Sequence, residues 1–172
     1  LKFKKNLKKL SITGKLFQIL ILFALNRYKN IICVSNKTKR ELSKLINIKN
    51  RNMKVIYNAL SHDFFPMDIN ARKSILESKK IDYKYFLHVG GNNWYKNKTG
   101  LIQIFYEFNK LKKRESYKLI LAGKKLPNYL NDKIKRLKLE NSIINLINLN
   151  SKNICALYSG AEALIFPSIA EG

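Results

Sequence analysis

Two cysteines and two histidines are too few, and too scattered, to build a disulfide framework or a metal centre in a chain of 172 residues. Cys33 and Cys155 lie in apolar stretches far apart, with no Cys-x-x-Cys spacing, as small buried hydrophobes of a reducing compartment would. His62 and His88 join no cluster of other ligand types, so no metal is expected. Three prolines and seven glycines form no repeat or low-complexity tract, and with 46% hydrophobic residues the chain has a sizeable core, which excludes disorder. Long apolar runs are missing too. The longest, residues 16–25, follows basic residues and imitates a signal peptide, but Gln18 interrupts it, it is too short to span a bilayer, and no small-x-small cleavage site follows. A helix buried in a core or lying against a membrane is expected there.

Acidic residues are also scarce: 11 face 34 basic ones, for a net charge of +23. Such an excess invites a nucleic-acid partner. Lysine far outnumbers arginine, however, and the charges are spread over nearly every segment instead of along one stripe. The joint richness in Asn, Ile and Lys is what an AT-rich genome produces without selection for binding. Nucleic acid is therefore disfavoured, and an anionic membrane surface is the partner that scattered basic charge suits better. The chain starts at Leu1 and stops just after an apolar strand and a short loop, so it is read as a piece of a longer protein.

The pattern of apolar residues predicts a helix over 5–27, a short strand at 31–34, and a helix capped by Ser35 and Asn36 that carries Leu42, Leu45 and Ile46 on one side. A strand at 54–57 leads into a turn-forming stretch, 58–66, ending in Pro66, where a domain boundary is placed. Residues 1–65 then form the end of one domain plus a linker, and 66–172 a second domain. Beyond a weaker helix at 71–80 the alternation is regular. Strands are expected at 85–89, 119–122, 143–147 and 163–166, with helices marked by Leu101, Ile104, Phe105, Phe108 and Leu111, by Leu130, Ile134 and Leu137, and by residues 152–159. The strands are continuous apolar runs, the mark of burial on both faces in a parallel sheet. The fold class is α/β, a doubly wound parallel sheet with a partial second domain.

Ligands of open parallel sheets bind beyond the carboxyl ends of the strands. Four such ends lie at Gly90-Gly91, Gly123-Lys124, residues 147–150 and residues 167–172, and they would meet along one rim. The rim offers glycines for close approach, Lys96 for phosphate charge, and one carboxylate, Glu171. That combination suits a nucleotide-linked substrate better than a peptide or a free metal ion. His88, in mid-strand, reads as a core or sheet-end histidine, and Trp94 as a loop aromatic.

Four segments in order carry a resemblance. Ile32-Cys33-Val34-Ser35, Val55-Ile56-Tyr57-Asn58-Ala59, His88-Val89-Gly90-Gly91 through Lys96-Asn97, and Phe166-Pro167-Ser168 through Glu171-Gly172 resemble the retaining GT-B glycosyltransferases of group 1, also called family 4. The third segment keeps the spacing of that family's Val-Gly-Arg-x-x-x-x-Lys-Asn loop, and the fourth leads to its Glu-Gly-Phe-Gly motif. The resemblance implies that Gly90, Gly91 and Lys96 surround a donor diphosphate and that Gly123 borders the nucleotide. It also implies that the backbone from Ile147 to Leu149 lies against the base, with Glu171 and Gly172 beside the sugar and Glu171 the catalytic carboxylate. Gly91 stands where the family carries arginine, Ile147 where glycine is common, and Ala59 where the linker has glycine.

The implied activity is transfer of a sugar, with retention, from a nucleoside diphosphate sugar to a saccharide or lipid-linked acceptor in cell-surface polysaccharide or lipopolysaccharide synthesis. Neither a metal nor a cofactor is implied. The implied location is cytoplasmic, peripheral at the inner membrane face, and the chain alone is expected to bind nucleotide weakly without turnover. The competing expectation is a non-catalytic basic α/β module that binds RNA or another polyanion.

Overall fold

The computed structural model describes residues 12–47, 49, 51–111 and 117–169. The chain divides into two compact units, Leu1–Ala59 and Leu60–Glu171. The division falls ahead of Pro66 because the polar stretch that follows Ala59 packs into the second unit. There Cys155 Sγ donates to Asp63 O at 3.0 Å, Met67 N to Ser159 Oγ at 3.2 Å, and the Phe64 ring meets Tyr158 edge-on at 6.4 Å.

In the first unit, helix α1 (Ile12–Leu25) precedes strand β1 (Asn30–Cys33), helix α2 (Asn36–Leu42) and strand β2 (Asn52–Val55). The two strands are parallel, with Asn30 opposite Asn52 and Cys33 opposite Val55. Ser35 caps α2 by accepting from Thr38 N at 3.0 Å, as its position ahead of the helix predicts. Ile31, Cys33 and Ile46 form a small core that Leu22, Leu25, Leu42, Met53 and Val55 complete. The rest of α1 is open, with Leu16, Phe17, Leu20 and Phe23 all exposed. No helix among the described residues is long and apolar enough to cross a membrane.

The second unit runs α3 (Ile69–Ser78), β3 (Tyr85–Gly90), a 3-10 turn (Trp94–Lys96), α4 (Lys98–Leu111), β4 (Lys118–Gly123), α5 (Asn128–Arg136), β5 (Ile143–Ile147), α6 (Ser151–Gly160) and β6 (Ala163–Leu164). The four strands form one parallel sheet in the order β5-β4-β3-β6. Alternation along β4 shows why its sequence is apolar throughout. Leu119 and Leu121 enter a core with Leu101, Ile102 and Phe105 of α4 and with Leu130 and Ile134 of α5. Ile120 and Ala122 enter the opposite core with Tyr85, Leu87 and Leu157 of α6. Both faces are covered, so the sheet is doubly wound. The reading of 163–166 as a buried strand is corrected. Only Ala163 and Leu164 pair, both are exposed, and Ile165 N makes a last ladder bond to Leu87 O at 2.8 Å. As an edge strand, β6 has one neighbour and buries less of its length.

The strand order matters for function. The chain steps outward from β3 to β4 to β5, then returns to lay β6 on the other side of β3. The reversal point lies between β3 and β6, where connections leave in opposite directions, the place at which open parallel sheets bind ligands beyond the carboxyl ends of their strands.

Candidate functional site at the sheet rim

The strand ends reach the rim in register: Gly90 lies opposite Gly123, and Gly123 opposite Ile147. The loops after β3 and β4 and the segment beyond β6 are tied together. Asn92 Nδ2 donates to Lys125 O at 2.7 Å, joining the β3 and β4 loops. Ile169 N donates to Tyr95 O at 2.8 Å and Asn97 Nδ2 to Pro167 O at 3.3 Å, joining the β3 loop to the segment beyond β6. Asn145, a polar interruption in β5, donates to Leu121 O at 2.9 Å and accepts from Leu126 N at 3.0 Å, which fixes the turn after Gly123.

Gly123 has φ +144, and a Cβ there would lie 2.4 Å from Gly90 O. Only glycine lets the two strand ends close at this point. Gly91 is different: a Cβ on it meets nothing within 4 Å. Close backbone approach is thus built at Gly90 and Gly123, and Gly91 leaves open space.

Lys96 lies beside the Gly90 backbone. Its methylenes pass 3.6 to 3.8 Å from the site of a Cβ on Gly90, and its ammonium stands 4.8 Å from the centroid of the Phe166 ring. The side chain therefore bridges the β3 and β6 ends, its charge held over an aromatic face.

Two groups lie beneath the rim: Lys98, which escapes the sequence reading, and His88, which reads from sequence as a core or sheet-end histidine and is buried as that reading expects. Lys98 opens α4, yet it is 4% exposed, and its Nζ donates to Gly90 O and to Asn92 Oδ1, both at 3.0 Å. Burial pushes this ammonium below its ordinary pKa. It clamps the turn from Gly90 to Asn92 from the inside. A lysine at this position reads as one of 34 cations, and nothing in the sequence marks it as inward.

The second group is His88, fully buried in β3. Its Nδ1 lies 3.0 Å from Ile165 O across the β3–β6 gap. A carbonyl only accepts, so Nδ1 carries the hydrogen. Nε2 is buried without a hydrogen-bond partner and lies 3.4 Å from the site of a Cβ on Gly90. Burial lowers the pKa of the ring most, the Ile165 carbonyl opposes that, and Lys98 and Lys96 lower it further. The ring is then neutral in the folded protein above its ordinary value of 6.5, as it is in the unfolded chain. Below that pH the unfolded chain takes up the proton first, and stability falls as pH drops through the window down to the folded-state pKa. We expect the urea midpoint of the wild type to drop more than that of His88→Gln between about pH 7.5 and about pH 5.5. Equal drops would show that this ring is not held neutral.

The structure thus brings together Gly90, Gly91, Lys96, Gly123 and Ile147. Leu149 follows β5, and its side chain packs into the core shared by Tyr85 and Leu157. Glu171 and Gly172 lie outside the described residues. The amides of Asn92 and Asn93 each donate to a protein oxygen, Lys125 O and Tyr95 Oη. No cluster of three metal-ligating side chains occurs among the described residues.

Comparison with known proteins places this rim in context. The chain is 29% identical over 158 residues to the O-antigen chain mannosyltransferase RfbU of Salmonella typhimurium, covering 91% of this chain and 40% of that protein. It is 27% identical over 146 residues to an uncharacterised glycosyltransferase of Methanocaldococcus jannaschii, covering 82% and 37%. It therefore spans about two fifths of the length of these relatives. Among solved structures it resembles HepE of Anabaena in complex with UDP and glucose, with a TM-score of 0.76 at 18% identity over 95% of this chain and 44% of that one. That likeness is one of fold, the α/β architecture with parallel sheets of GT-B glycosyltransferases. Residues 71–172, from α3 through the rim, match the family described as glycosyl transferases group 1. The chain belongs to that family.

Proposed function

We propose that the rim of β3, β4 and β5 is the donor site of a retaining, metal-independent glycosyltransferase, and that it holds the diphosphate of a nucleotide sugar. The observation that carries this reading is the meeting of Gly90, Gly123 and Lys96 beside the point between β3 and β6 where the strand order reverses. When a sugar leaves a nucleoside diphosphate, negative charge grows on the β-phosphate. In a reaction that uses no metal, fixed donors must stabilise it. Lys96 supplies a full charge at the point where the Gly90 backbone allows an oxygen to approach, and removing such a preorganised donor costs about 3 kcal/mol. In this reading Gly123 borders the nucleotide, the backbone from Ile147 to Leu149 faces the base, and Glu171 attends the sugar. The Anabaena protein bound to UDP and the Salmonella mannosyltransferase support a nucleoside diphosphate sugar as donor and a surface glycan or its lipid-linked precursor as acceptor.

Lys96→Ala in the full-length protein should weaken sugar-nucleotide binding and lower turnover together, by about a hundredfold in kcat/KM. Unchanged kinetics would remove Lys96 from the site. The open space at Gly91 gives the opposite test. Gly91→Arg restores the charge that the resemblance leads one to expect, and its Cβ meets no atom within 4 Å. It should tighten sugar-nucleotide binding about three- to tenfold by titration calorimetry. Weaker binding would mean that another group already occupies this position.

The acceptor and the place of action follow from charge and surface. With a net charge of +23 and an exposed apolar side on α1, the protein is suited to the cytoplasmic face of an anionic membrane, where lipid-linked acceptors are presented. Sedimentation with vesicles should show stronger binding to anionic than to neutral lipid, and equal binding would remove this location.

A further inference from the structure

We propose that His88 is a further donor-binding residue, whose Nε2 takes up a proton when a nucleoside diphosphate sugar binds and gives that N–H to a phosphate oxygen. The inference rests on the reading of the rim as a diphosphate cradle. Its own basis is the placement of one buried atom. β3 and β6 diverge after Leu87, and the His88 ring fills the gap, anchored by Nδ1–H to Ile165 O at 3.0 Å. The anchor fixes the ring plane, so the second nitrogen is aimed and not free to rotate away. Nε2 lies 3.4 Å from the Cβ site of Gly90, where the Lys96 methylenes also pass, and it has no hydrogen-bond partner. A buried polar atom without a partner is disfavoured unless some state of the protein supplies one.

The surroundings decide what that partner is. Among the described residues, the charged groups facing the ring are Lys98 at the start of α4 and Lys96 of the loop. On β4 the residue opposite is Leu121, and from beyond β6 come Ile165 and Phe166, none of which titrates. Burial and the two cations, with no carboxylate facing the ring among the described residues, keep it neutral without ligand. A diphosphate bridge carries two negative charges and offers only acceptors. Arriving over Gly90, it offsets both ammonium charges and presents an oxygen to a nitrogen that can bond to it only as N–H. Uptake of a solvent proton by Nε2 satisfies both partners and turns a neutral ring into a third cation of the site. The sign follows from linkage. A ring whose pKa is low when empty and raised when occupied makes binding stronger as pH falls through the occupied-state pKa, levelling off below the empty-state value.

The test is titration calorimetry on the full-length protein with UDP-glucose and with GDP-mannose, in buffers that differ in ionisation enthalpy. The bridge of a sugar nucleotide has no group titrating near neutrality, so any proton taken up resides on the protein. Wild type should take up a proton fraction approaching one per ligand, and its affinity should rise by up to about tenfold per pH unit between about pH 8 and about pH 6.5. His88→Gln, which can offer an amide N–H without titrating, should bind with no uptake and a flat pH profile. His88→Leu should lose about tenfold or more at the acid end. Melting curves at about pH 8, where the wild-type ring is neutral, show whether both variants fold. Should either fail to fold, the imidazole NMR signal of His88 in the wild type must titrate at higher pH with ligand than without. Binding by the wild type without uptake, or uptake retained in His88→Gln, overturns the inference and leaves the donor site standing. A wild type that binds neither sugar nucleotide overturns the donor site and this inference with it.

Discussion

Gly123→Ala is expected to destabilise the protein by roughly 2–6 kcal/mol, read as a shift in the urea midpoint by circular dichroism, and to abolish sugar-nucleotide binding in whatever fraction still folds. Two terms add. The backbone at Gly123 has φ +144, a region that is essentially closed to residues with a side chain. The new methyl would also sit 2.4 Å from Gly90 O, and a backbone oxygen at the end of a paired strand cannot rotate aside as a side chain would. The strands must part at their carboxyl ends, where Gly90 O also holds the Lys98 ammonium, so the strain passes directly into the rim. Gly91→Ala serves as the control, since its methyl meets nothing within 4 Å and should change stability by less than about 0.5 kcal/mol. A Gly123→Ala protein that melts like the control would show that the strand ends are looser than their register implies.

That contrast shows what a sequence discloses and what it withholds. The pair Gly90-Gly91 draws the eye to the rim, yet adjacent glycines look alike until the sheet closes and only one faces another strand. Leu119 through Ala122 identify β4 because burial on both faces leaves no polar position to disguise the run. Two-residue errors arise where pairing overrides composition. Val55, Ile56 and Tyr57 suggest a strand at 54–57, but β2 occupies Asn52–Val55 because Asn52 N donates to Lys29 O beside β1. Ile56 and Tyr57 are left exposed. The last strand is shorter than its apolar stretch because edge position limits it to two paired residues. What stayed hidden in the site has a common cause. Lys98 and His88 act through where their side chains point, and direction is set by the end of β3 and the first turn of α4 together, not by local composition.

Lys98 allows the two contributions, packing and charge, to be separated. Lys98→Ala should destabilise the protein by about 2–4 kcal/mol, because it empties the space under the β3 loop and leaves Gly90 O and Asn92 Oδ1 without their donor. Lys98→Met fills that space with an apolar chain of similar length and removes an ammonium whose desolvation opposes folding, so most of the lost stability should return. Neither variant restores the tie across the turn from Gly90 to Asn92, and both should bind sugar nucleotide about tenfold or more weakly. The pH dependence carries a further signature. Because burial sets the folded-state pKa of Lys98 below its ordinary value of 10.5, the unfolded chain holds a proton that the folded one has lost in the window between them. The stability of the wild type relative to Lys98→Met should therefore rise as pH climbs through that window and level off above 10.5. Urea titrations of the two proteins at rising pH measure this difference with the other lysines cancelling. If Lys98→Met bound ligand as well as the wild type and the stability difference stayed flat, Lys98 would be filling space and not holding the cradle in shape.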